Sequence, residues 1–149
     1  MLRSHRDVDN PQVADLLEIL RQPIDRSKVT KHPGAGANYM NVTDIKDALD
    51  WLLGPERWTW RVQEGFCMPS APYYVVIGVL TLVGSDGEHA QTGCGAEPLW
   101  DHMPQPKERG GKVVGYVTKA YGDPSTNAEA SALRRAAEAH GFGRELWRK

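Results

Sequence analysis

The sequence has little of what usually advertises a chemistry. It holds 2 cysteines, Cys67 and Cys94, in no CxxC spacing, so no disulfide framework or cysteine-ligated zinc site is expected and the setting reads as reduced and cytosolic. Its histidines, at 5, 32, 89, 102 and 140, fall into no HxxxH or HExxH pattern, and neither a serine elbow nor a Walker-type phosphate loop occurs. Neither a cofactor nor a metal is therefore expected. The longest apolar run, within YYVVIGVLTLV, is too short for a membrane-spanning helix and too rich in β-branched residues. The start, MLRSHRDVDN, lacks the apolar core of a signal peptide. Excess charge is missing too: 18 basic against 19 acidic residues leave a net charge of -1, so any site for a polyanion has to be local.

The charge that is present is segregated. Arg21, Arg26, Lys28 and Lys31 outnumber Asp25, and Arg134, Arg135, Arg144, Arg148 and Lys149 outnumber Glu138 and Glu145. Between these basic sets lies an acidic one, Asp44, Asp47, Asp50 and Glu56 against Lys46. With 149 residues the chain has enough length for one core, and residues 1–149 are read as a single domain.

Helical spacing of Val13, Leu16, Leu17 and Leu20 after Asn10-Pro11 predicts a first helix over about 11–21. Pro33, Gly34 and Gly36 make 22–40 a basic loop or irregular strand. Thr43 is expected to cap a second helix, with Ile45, Ala48, Leu49 and Leu52 as its apolar stripe and Gly54-Pro55 as its stop. WTWRVQ alternates as a half-buried strand, YYVVIGVLTLV follows, and SDG turns into EHAQTGCGAE, so an antiparallel three-stranded meander is expected. Residues 98–125 read as an excursion with one extra strand or hairpin arm, carrying Lys107, Arg109, Lys112 and Lys119 against Glu108.

Thr126 and Glu129 match a capping box, which predicts a last helix from about Asn127 to Gly141. At about 100° per residue, Asn127, Ser131, Arg134, Arg135 and Glu138 share one arc, with alanines and Leu133 around the remainder. Glu138 stands at ion-pair spacing from both arginines. The fold class is thus α+β: an α-β-β-β-α core whose meander packs on a C-terminal helix.

In this order, YMNVTDIKDALDWLLGPERW, a meander and ALRRAAEAHGFGREL resemble the Rad-fifty-two family of single-strand annealing recombination proteins, which includes phage annealing proteins and the bacterial DNA damage response protein DdrA. Leu53-Gly54-Pro55-Glu56-Arg57-Trp58 and Arg134-Arg135 with His140-Gly141 carry the likeness, which covers roughly 20–147. The resemblance implies a ring of subunits that binds and anneals single-stranded DNA in homologous recombination and double-strand break repair, without being an enzyme. It places phosphate contacts on Arg134 and Arg135, further DNA contacts on Lys31 and its neighbour Lys28, and a groove-lining role on Tyr39. It implies single-stranded DNA, other copies of the chain, and a single-strand binding protein or recombinase as partners, in a bacterial or phage-encoded, cytoplasmic or nucleoid-associated protein. The sequence departs from the family at Ser131, Thr126 and Asn41-Val42-Thr43, which bears on subunit geometry and ring size. Two rivals stay open: a double-stranded RNA-binding module, which shares the α-β-β-β-α order, and a metal-dependent nuclease using Asp44, Asp47 and Asp50.

Overall fold

The β-branched run at the middle of the chain builds the central strand of the sheet. A computed structural model describes the backbone of residues 3–31, 38–118 and 122–147, and side chains for all of these except 28, 30, 31, 38, 39, 146 and 147. Helix α1, Val13–Leu20, is followed by a two-stranded ribbon of β1, Thr30–Lys31, and β2, Asn38–Tyr39, and then by helix α2, Val42–Leu53. Strands β3, Trp58–Cys67, β4, Tyr73–Gly84, and β5, Gly87–Pro98, form the expected meander, with β4 in the centre. A second hairpin, β6, Gln105–Arg109, and β7, Lys112–Val117, precedes helix α3, Pro124–Ala139, and the short α4, Arg144–Trp147. No helix among the described residues is long and apolar enough to cross a membrane.

Alternation sets which residues of the sheet meet the helices. Trp58, Trp60 and Val62 pair with Leu82, Leu80 and Gly78, which puts the tryptophans on the core side; a bulge between Val62 and Glu64 then shifts the register. Leu80 and Leu82 join Leu16, Leu20, Ile45, Leu49, Leu53, Leu133 and Phe142 in one buried cluster. The excursion resolves into a hairpin arm because Gly110 and Gly111 both adopt positive φ, 60° and 78°, the pairing that a two-residue hairpin turn requires.

Three local expectations are corrected. Helix α1 is shorter than predicted and begins after Gln12, its Val13 amide donating to Asp86 Oδ1 at 2.9 Å in the β4–β5 turn. Asn41, not Thr43, caps α2, accepting from the Thr43 amide at 2.8 Å. Helix α3 starts three residues earlier than predicted, at Pro124, capped by Asp123. Thr126 donates its hydroxyl to Asp123 at 2.7 Å, and Glu129 is drawn away to accept from Trp60 Nε1 at 3.0 Å.

Helix α3 lies unusually close to β5. A Cβ added at Gly93 would strike the carbonyl oxygen of Ala132 and come 2.8 Å from the Ala136 amide nitrogen; one at Gly95 would strike the Ala128 carbonyl and come 2.6 Å from the Ala132 nitrogen. The helix therefore rests on strand backbone. Gly93→Ala and Gly95→Ala are each expected to lower stability by about 1–3 kcal/mol through overpacking, read as a reduced urea midpoint. Gly115→Ala, where nothing lies within 4 Å, serves as the control and should leave the midpoint unchanged or slightly raised.

The C-terminal end of α3 is fixed by a histidine pair. His140 is buried; its Nε2 donates to the Leu80 carbonyl at 2.8 Å, so in the neutral ring Nδ1 is left to accept from His89 Nδ1 at 3.1 Å. Burial holds the His140 pKa below its usual 6.5, outweighing the raising effect of the Leu80 contact, and the neighbouring His89 lowers it further. The folded state thus binds this proton more weakly than the unfolded chain. Stability from this site is fully present above pH 6.5 and is lost as pH falls below it. Urea midpoints should drop on acidification through this range, and His140→Gln should flatten the drop. At the other end, hydrogen bonds from the Ser125 hydroxyl and the Thr126 amide and hydroxyl hold the Asp123 carboxyl down from 3.8 to about 2. This cap stabilises above pH 3.8 and fails as pH falls through about 2. The Tm gap between parent and Asp123→Ala should therefore close over that interval.

Candidate nucleic-acid interface

Once Ala128, Ala132 and Ala136 are pressed on β5, the rest of α3 is assigned. Leu133 and Ala137 turn into the core, and the arc holding Arg134, Asn127, Glu138, Ser131 and Arg135 faces outward. At about 100° per residue, Arg134 and Arg135 stand at the two borders of this stripe, not side by side in its middle. Arg134, half-buried, leans towards the core side. Arg135, exposed, leans over β5, where its Nη1 donates to the Cys94 carbonyl at 2.8 Å. The contact expected between Arg135 and Glu138 is replaced by this one.

Cys94 belongs to an outer strand of the sheet. Its carbonyl uses one Nη1–H of Arg135 and orients the guanidinium, leaving Nε and Nη2 as donors for another oxygen. A third arginine, Arg144, donates through Nε to the Glu138 carbonyl at 3.0 Å and through Nη2 to the Ala139 carbonyl at 3.1 Å. These carbonyls end the helix, where a cation is favoured. Spacing gave Arg144 no role, because its partners are backbone atoms.

The basic ribbon is rooted near the same end of α3. The Ile24 amide donates to Glu145 Oε1 at 3.0 Å, Arg21 packs against Gly141, and Met40, which follows β2, is buried in the core beside Phe142. Thr30 pairs with Tyr39 and Lys31 with Asn38 along the ribbon backbone. The side chains of Lys28, Lys31 and Tyr39, three of the expected DNA contacts, lie outside the described residues, as do residues 32–37, Lys119, Arg148 and Lys149. What the fold brings together is Arg134, Arg135 and Arg144 on or just after one helix, with the foot of the ribbon beside its C-terminal end.

The acidic triplet does not converge. Asp50 accepts from Trp58 Nε1 at 2.9 Å, while Asp44 and Asp47 border a cleft on α2. Among the described residues no three His, Cys, Asp or Glu side chains are gathered so as to hold a metal ion. The His89–His140 pair was not legible, since 51 residues separate its members and no motif links them. No protein-family model matches the chain, and no curated protein is significantly similar to it.

Proposed function

We propose that this protein binds single-stranded DNA along its phosphate backbone and promotes strand annealing, as one subunit of a closed ring acting in recombination and double-strand break repair. The observation that carries the reading is Arg135, exposed on α3 with its guanidinium already oriented by the Cys94 carbonyl, while Arg134 holds the opposite border of the same stripe. Arginine offers phosphate a rigid donor fork, and one held in place beforehand loses less freedom on binding. Phosphate contacts carry no sequence information and leave bases free to pair, which annealing requires. Lys28, Lys31 and Tyr39 extend this contact surface through the ribbon, whose foot is fixed near the C-terminal end of α3. Repetition around a ring multiplies a modest patch, so a nearly neutral subunit is no obstacle. Ring closure is supported by β3 and β5, both outer strands of a three-stranded sheet with edges that a neighbour can pair.

Replacing Arg134 and Arg135 together by alanine should keep the helix, since alanine has the higher helix propensity, and weaken binding to an oligothymidine. Two lost contacts at a slope of about 0.7 each amount to roughly 25-fold at 0.1 M salt, with the salt dependence flattened by about 1.4. Glu138→Ala, which removes an anion from the same stripe, should bind as well as the parent or better. Unchanged affinity and annealing in a folded double variant would sink the reading. Stronger competition by duplex RNA than by single-stranded DNA would replace it with a double-stranded RNA-binding one.

A further inference from the structure

A cleft of about 370 Å³ lies between α2 and the segment Gln22–Asp25. Met40, Leu52 and Phe142 are its buried floor, and Trp51, 50% exposed, stands at its wall. Asp44 and Asp47, about one helical turn apart, form one rim, with Asp25 on the other. An apolar floor under an anionic rim suits a ligand that is apolar and cationic together.

The hairpin arm has that character. Val113, Val114 and Val117 are about half exposed and Tyr116 is 69% exposed, while Lys107, Arg109 and Lys112 stand against a single acid, Glu108. A two-stranded ribbon alone is marginally stable in water, and this one leaves its apolar side chains uncovered. Within its own subunit these side chains stay exposed. The arm is rooted just after Pro98, which pairs with Tyr73 at one end of β4, whereas the cleft shares the core of Leu80 and Leu82 near the other. Tyr73 and Leu82 are nine strand steps apart, roughly 30 Å, so the root of the arm and the cleft stand towards different ends of the sheet.

We infer that the β6–β7 arm of one copy docks in the α2 cleft of a second copy, with Val114 and Tyr116, which share one face of β7, on the Met40, Trp51 and Phe142 surface and the cations of the arm, Lys107, Arg109 and Lys112, near Asp44 and Asp47. DNA is the wrong occupant for either half. Phosphate does nothing to cover Tyr116 or the apolar floor of the cleft. Because arm and cleft sit at opposite ends of the subunit, the contact is head-to-tail and propagates around a ring or along a filament. The inference rests on the self-assembly part of the proposed function and not on its DNA-binding part.

The test uses the full chain without nucleic acid. One variant reverses the arm, Lys107→Glu, Arg109→Glu and Lys112→Glu; another reverses the rim, Asp44→Lys and Asp47→Lys. Sedimentation should find each folded variant about tenfold or more weaker in self-association than the parent. Mixed one to one, each arm again meets a rim of opposite sign, and assembly should return. Tyr116→Ala, at a side chain too exposed for its loss to disturb folding, should weaken assembly without any change of charge. Parent-like assembly by the reversed variants, no recovery on mixing, or a monomeric parent at about 100 μM would overturn the inference. So would an arm variant that assembles normally but loses single-stranded DNA affinity, since the arm would then be a DNA contact. Failure of the DNA-binding reading appears separately, as unchanged oligonucleotide affinity in the Arg134 and Arg135 double variant.

Discussion

The contact between two glycines of β5 and three alanines of α3 is the constraint on which the remaining geometry depends. Gly93 and Gly95 are two residues apart and so face one side of the sheet; Ala128, Ala132 and Ala136 repeat every four and so lie along one line of the helix. Two strand residues advance about 6.8 Å and four helical residues about 6 Å, which lets each glycine receive a successive turn. With no side-chain layer between the backbones, α3 has one height and one rotation available over β5. Trp60 can then reach Glu129 across the sheet at 3.0 Å, Arg135 can reach the Cys94 carbonyl at 2.8 Å, and His140 can reach the Leu80 carbonyl at 2.8 Å. A thicker interface would break all three.

The same constraint explains which parts of the fold were legible in the sequence. Alternation at Trp58, Trp60 and Val62, the β-branched run of β4 and the SDG turn are local patterns, and they produced the meander in its observed order. The alanine-rich stretch was readable as a helix for the same reason. Caps were read less well. Thr126 and Glu129 have capping-box spacing, yet Asp123 lies ahead of them and can accept from the Ser125 hydroxyl at 2.6 Å and from the Thr126 amide at 2.8 Å. Glu129 is meanwhile held by a tryptophan 69 residues away in the chain. A spacing rule sees neither the nearer carboxylate nor the distant indole.

The candidate site was half legible on similar grounds. Helical periodicity put Arg134 and Arg135 on one exposed arc, which the structure retains. It could not tell that the arc has two different borders, one against the core and one over an outer strand, because that depends on which line of alanines meets the sheet. Nor could it find that Arg135 is oriented by a backbone carbonyl, since every residue supplies a carbonyl and none marks it in sequence. Arg144 and the His89–His140 pair were missed for this reason: their partners are main-chain atoms or residues far along the chain.

A net charge of -1 conceals a polarity with physical consequences. Carboxylates outnumber Lys46 on α2 and cations outnumber Glu108 on the arm, while on α3 Arg134 and Arg135 are matched by Glu129 and Glu138. At physiological salt, exposed charges act over about 8 Å, so these surfaces are sensed separately by anything that approaches. Under the annealing reading, a strand is attracted to α3 and kept off α2, which defines a track for it without base contacts. A second copy meets the opposite demand. Under the docking inference, its arm is drawn to the carboxylates of α2. On these two readings a neutral chain keeps either surface from dominating: uniformly basic subunits would bind DNA while repelling one another, and uniformly acidic ones would do neither.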